Sequence, residues 1–181
     1  PTAAGERIVT VGGDVTEIVY ALGAGDALVG ADTSSVYPAA AAALPKIGYQ
    51  RQVPAEGVLA LAPTLVIASD EAGPPPALAQ MRDAGVRLEI VAGADTADGA
   101  VAKVERIAAL LDRPADGARL VAALRADLAR AAAHAVTGPP PRVLFVYARG
   151  PSTVLVGGRG TPADEMIRLA GGVNAVADIE G

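Results

Sequence analysis

Apolar positions along the chain recur in two alternating rhythms. Ile8-Val9-Thr10-Val11 is a short β-branched run closed by Gly12-Gly13, the pattern of a buried strand. Just beyond it, Ile18, Val19 and Leu22 share a helical face, and Gly23 and Gly25 can end that helix. Asp14, with Glu17 three residues on, has the spacing of a capping box. The alternation continues with a strand over 27–30, a helix over 56–62 before Pro63 and a strand over 65–68. A helix over 74–84 and a strand over 86–91 follow. Short apolar strands alternating with helices predict an open, mostly parallel α/β sheet.

From residue 98 to 135 the pattern is helical throughout. Val101, Val104, Ile107 and Leu111, then Leu120, Val121, Leu124 and Leu128, recur at helical spacing across a break at Arg113-Pro114. Gly138-Pro139-Pro140-Pro141 ends this stretch, and Arg142–Tyr147 reads as one strand opening a second α/β unit. That unit echoes the first at an offset of about 148 residues, with Gly12 on Gly160, Glu17 on Glu165 and Gly23 on Gly171. The organisation predicted is an N-terminal α/β lobe (1–97), a helical spacer (98–137) and a partial C-terminal α/β lobe (138–181). Half a lobe leaves apolar sheet surface uncovered. Residues 140–181 are therefore expected to be disordered, rearranged or covered by another copy.

Composition narrows the chemistry. Hydrophobic residues make up 51% of the chain, yet no apolar run approaches the roughly 20 residues of a membrane span. A net charge of −5 disfavours nucleic acid as a partner. The absence of cysteine removes disulfides, thiolate metal sites and cysteine nucleophiles. Ser34, Ser35, Ser69 and Ser152 lie in no G-x-S-x-G elbow, so an enzyme is not expected. The single histidine, His134, ends the long helix, where a positive side chain suits the carbonyl dipole. One imidazole is too few for a zinc or manganese carrier. Pro1–Gly5 reads as a small polar lead-in, as at a processed or trimmed N-terminus.

The segment Ile8–Gly23 resembles the opening of the substrate-binding proteins of haem, cobalamin and siderophore ABC importers. Leu44-Pro45-Lys46-Ile47-Gly48-Tyr49-Gln50-Arg51, followed by Ala55–Val66, is similar to the haem branch, as is Gly158–Gly172. The resemblance implies two Rossmann-like lobes joined by a long rigid helix, the second incomplete in this chain. It also implies a ligand held in a cleft between the lobes, a periplasmic or membrane-tethered location and delivery to an ABC permease. A ferric siderophore or a corrinoid is the alternative cargo.

Tyr49 is the residue that the resemblance places as axial ligand to ferric haem iron. A phenolate is a hard oxygen donor suited to Fe(III), and Arg51 nearby favours the anion. Arg51 reads equally as a partner for a haem propionate or as a solvated surface arginine. Tyr147 and Arg149, at the end of the strand over 142–147, are either ligand contacts or an ordinary strand-end pair. Tyr20 reads as packed against its lobe, and Tyr37 as a loop residue that borders the ligand or does not. Glu56 matches the first-lobe acidic residue that, in the resembling family, pairs with arginines of the permease. It also suits a helix N-terminus on dipole grounds alone.

Overall fold

The computed structural model describes residues 5–93, 95–134, 138–150 and 152–181. The expected lead-in at 1–4 and the spacer's end at 135–137 lie outside them. Two compact units emerge, Pro1–Gly93 with Lys103–Leu120, and Ala94–Ala102 with Val121–Gly181. The helical stretch is divided between the two.

The first unit is built on four strands, β1 (Ile8–Val11), β2 (Leu28–Ala31), β3 (Leu65–Ser69) and β4 (Arg87–Val91). They are ordered β2-β1-β3-β4 and all paired parallel. Helices α1 (Gly13–Ala21), α2 (Ala39–Ala42), α3 (Ala55–Leu59) and α4 (Pro75–Asp83) fill the crossovers that parallel pairing requires. The central strands are buried on both faces, so side chains alternate between two cores. Ile8, Leu65 and Ile67 pack with Val15, Val19 and Leu22 of α1. Val9, Val11, Val66 and Ala68 pack with Val58 of α3 and Leu78 and Met81 of α4. The α/β class read from the sequence is the class of the structure.

Helix α5 (Ala97–Leu110) ends in a left-handed residue, Asp112 at φ 53°, and Arg113 N–H donates to the Ala108 carbonyl at 2.8 Å. That arrangement satisfies the last carbonyls of α5 before Pro114 opens α6 (Pro114–Ala133). The break lies where the sequence put it. At 20 residues α6 is about 30 Å long, and His134 Nδ1–H at its end donates to the Arg130 carbonyl at 2.7 Å.

Two local expectations need correction. The N-cap of α1 is Gly12, not Asp14, and no side chain caps the helix. Gly12 sits at φ 118°, and a Cβ there would lie 3.2 Å from the Ser69 Cβ, so only glycine fits the turn. Asp14 lies inside the first turn and pairs at 2.5 Å with Lys103, whose side chain is only 3% exposed. The second correction concerns Arg142–Tyr147, which is two short strands. β5 (Arg142–Val143) pairs parallel with β8 (Val173–Asn174), whereas β6 (Val146–Ala148) pairs antiparallel with β7 (Val154–Val156). An apolar run predicts extended backbone, but the change of partner after Val143 is set by chain far along the sequence.

The second unit also contains α7 (Pro162–Leu169), capped by the Thr161 hydroxyl, which accepts from Asp164 N–H. The internal echo survives locally. Gly12 and Gly160 precede α1 and α7, Gly23 and Gly171 follow them, and all four have positive φ. The echo ends there, because residues 176–178, opposite β2 in the offset, form a turn. Apolar surface is uncovered in this unit, with Phe145 47%, Leu155 59% and Met166 66% exposed.

A buried carboxylate joins the carboxyl ends of β1 and β2. Asp32 is fully buried and accepts from Gly12 N–H (2.9 Å), Ser35 Oγ (2.7 Å), Ser34 N–H (2.8 Å) and Ser34 Oγ. The Ser35 and Thr10 hydroxyls each lie 2.7 Å from the Thr16 hydroxyl, extending the network into α1. Replacing Asp32 with alanine strands several buried donors. The expected outcome is a loss of about 3 kcal/mol, read as a lower urea midpoint at unchanged slope.

Candidate functional site

In open parallel sheets, loops at the carboxyl ends of the strands carry the ligand contacts. In the first unit one such loop is 48–54, which follows β2. The Ala31–Lys46 bridge extends the sheet edge, and Thr33 N–H donates to the Gly48 carbonyl at 2.8 Å. On the β3 side the loop meets Gly73: Gly73 N–H donates to the Gln50 carbonyl (3.0 Å), and Val53 N–H donates to the Gly73 carbonyl (2.7 Å). Main-chain bonds therefore tie the loop to the ends of two strands.

This anchoring presents Tyr49. Gly48 adopts φ 96°, and a Cβ there would approach the Pro54 Cδ to 2.9 Å. Only glycine makes that reversal without strain. Tyr49 follows in extended conformation, its carbonyl accepting from Gln52 N–H at 2.8 Å to close a tight 3₁₀ turn over Gln50–Gln52. Tyr49 is 47% exposed and lines an open hollow with Arg51, Gln52, Pro54 and Pro74. The structure thus brings Tyr49 and Arg51 together.

Arg51 carries a partner that the sequence did not reveal. Its Nη2 donates to Glu71 Oε1 at 2.5 Å, and Gln50 Nε2 donates to Glu71 Oε2 at 3.0 Å. Glu71 lies twenty residues on, in the β3–α4 loop, and no local spacing pointed to it. Both members of the ion pair are more than half exposed, so solvent screens their attraction. Among the described residues, Arg51 Nε and Nη1 have no hydrogen-bond partner.

The remaining tyrosines separate cleanly. Tyr20 is half-buried against the first core, and burial followed by the nearby Asp26 charge pushes its phenol upward from the ordinary value. Tyr37 is 66% exposed. Glu56 is exposed in the first turn of α3.

Tyr147 and Arg149 belong to the second unit. Tyr147 sits mid-strand in β6, opposite Leu155, rather than at the end of a six-residue strand. Its ring lines a hollow of about 740 Å³ whose walls include Phe145, Leu155, Met166 and Ile167. Arg149 has an exposed side chain, and its N–H donates to the Thr153 carbonyl at 2.9 Å. Around α7, hydrogen bonds from Asn174 and Gly160 hold the Asp164 carboxyl below the usual range, and Arg168 does the same for Glu165. These contacts serve the local fold. Among the described residues no group of three or more His, Cys, Asp or Glu side chains is gathered to hold a metal. Among the same residues no helix is long and apolar enough to cross a membrane.

Comparison with known proteins agrees with this architecture. The profile of the family described as "Periplasmic binding protein" matches residues 8–181. The periplasmic heme-binding protein RhuT from Roseiflexus sp. RS-1, in apo form, is 49% identical with a TM-score of 0.89, over 96% of this chain and 66% of that one. The periplasmic heme-binding protein BhuT, in complex with two hemes, is 42% identical with a TM-score of 0.87, over 97% of this chain and 68% of that one. The vitamin B12-binding protein of Vibrio cholerae serotype O1 is 30% identical over 97% of this chain. The chain spans 62% of that relative's length. The periplasmic location implied by the sequence is the one these solved structures carry in their descriptions.

Gly48→Ala tests the geometry of the Tyr49 loop. The added methyl meets Pro54 and forces a disfavoured φ, with an expected cost of about 1–3 kcal/mol. Thermal unfolding measures that cost, and a changed tyrosine fluorescence would report displacement of the ring.

Proposed function

Because the chain belongs to the periplasmic binding protein family, we propose that it is the substrate-binding component of an ABC importer and that its cargo is haem. The observation that carries this reading is the half-exposed Tyr49 beside Arg51, on a loop fixed by main-chain bonds. A phenolate binds ferric iron as a hard anionic donor. The adjacent guanidinium supplies the planar fork that suits a porphyrin carboxylate. A preset loop lowers the ordering cost of binding a flat, rigid ligand.

In this role the protein binds and releases its cargo without altering it. Tyr147, on an apolar wall, and Arg149 are proposed as further contacts, the first through ring packing and the second through charge. Glu56, exposed at the start of α3, is proposed to pair with a basic residue of the permease. A corrinoid is the second reading, favoured by the similarity to the Vibrio cholerae vitamin B12-binding protein.

Titration with hemin followed at the Soret band separates the two. The haem reading expects a saturable shift with one Tyr49-dependent site. It also expects Tyr49→Ala to weaken binding by about two orders of magnitude, roughly 2.7 kcal/mol. A spectrum unchanged by hemin, or a shift identical in Tyr49→Ala, overturns it, and cyanocobalamin then becomes the ligand to titrate.

A further inference from the structure

We infer that Glu71 is a specificity-determining residue, an internal carboxylate that occupies part of the Arg51 guanidinium and weakens binding of anionic ligands. The inference rests on the haem reading of the Tyr49 site. Arg51 gives Nη2 to Glu71 Oε1 at 2.5 Å, while Gln50 Nε2 holds the other carboxylate oxygen at 3.0 Å. Glu71 is thus fixed by two consecutive residues of the turn that follows Tyr49.

The carboxylate is not what holds the loop. Main-chain bonds between Gly73 and both Gln50 and Val53 already do that. What Glu71 adds is charge, and it adds it at the group best placed to receive a ligand carboxylate. Among the described residues, Arg51 Nε and Nη1 remain open. A porphyrin carboxylate docking there shares one guanidinium with Glu71, and the two anions repel. A ligand with no free carboxylate meets no such penalty. Selectivity built from a repulsive group alongside an attractive one is a common device.

The consequence is directional. Removing the Glu71 charge improves binding of a carboxylate-bearing porphyrin and leaves its ester unaffected, although both bind iron through the same tyrosine. Because the pair is more than half exposed, the effect is moderate and diminishes as salt rises.

The test compares hemin with hemin dimethyl ester on the parent chain and on Glu71→Gln. The expected result is hemin tightened by about 3- to 10-fold in the variant at low ionic strength, with the ester changed by less than about 2-fold. The hemin effect should vanish in the Arg51→Gln background, as the double-mutant cycle requires. An equal change for both porphyrins, no change, or weaker hemin binding in Glu71→Gln overturns the assignment while leaving Tyr49 as iron ligand. A parent chain that binds neither porphyrin overturns the haem reading first, and this one with it.

Discussion

A carboxylate buried without an ion-pair partner must be satisfied by neutral donors, and Asp32, which has no such partner among the described residues, meets that condition through two serines and the Gly12 amide. The requirement is severe, because an ionised group in an apolar interior costs several kcal/mol unless its lone pairs are filled. Filling them fixes where β1 ends, where β2 ends and how α1 departs. The turn at Gly12 therefore has no freedom, and Thr33, next to Asp32, is held where its N–H donates to the Gly48 carbonyl. The loop bearing Tyr49 is positioned by this chain of constraints, one hydrogen bond at a time.

The two faces of the sheet contribute in a different way. Alternation along β1 and β3 sends side chains to separate cores, and both cores are needed to bury a parallel sheet. Ile47, just before the Tyr49 loop, and Val53, near its end, belong to one of them. The loop is thus clamped by apolar packing near both ends and by main-chain bonds between, which leaves Arg51 and Gln52 in solvent and Gln50 half-buried.

Much of this was legible in the sequence. The strand-helix alternation marked the sheet, and Arg113-Pro114 marked the helix break. Gly48-Tyr49-Gln50-Arg51 stood out through its resemblance to the haem branch, whereas the 3₁₀ turn it enters was not read. Long-range partners were not legible. Glu71 reaches Arg51 across twenty residues and Lys103 reaches Asp14 across eighty-nine, and no periodicity encodes either meeting. Asp14 had the residue type and spacing of a cap, but the helix starts earlier, at Gly13, with Gly12 as cap at φ 118° and Asp14 drawn instead to Lys103. The run Arg142–Tyr147 was rightly read as extended and wrongly read as one strand, because hydrophobicity specifies burial and not partner.

The anchoring of the 48–54 loop by main-chain groups has an evolutionary corollary. Backbone amides and carbonyls are the same whatever residue carries them, so Gln50, Arg51 and Gln52 can be exchanged without dismantling the turn. The conformation of the turn is thereby independent of the side chains it displays. A lineage keeping Gly48, Pro54 and Gly73 keeps the scaffold, whatever side chains stand at the half-buried Gln50 and the exposed Arg51 and Gln52. Relatives described as heme binders and as vitamin B12 binders share this one fold, so the backbone frame is common to proteins described with different ligands.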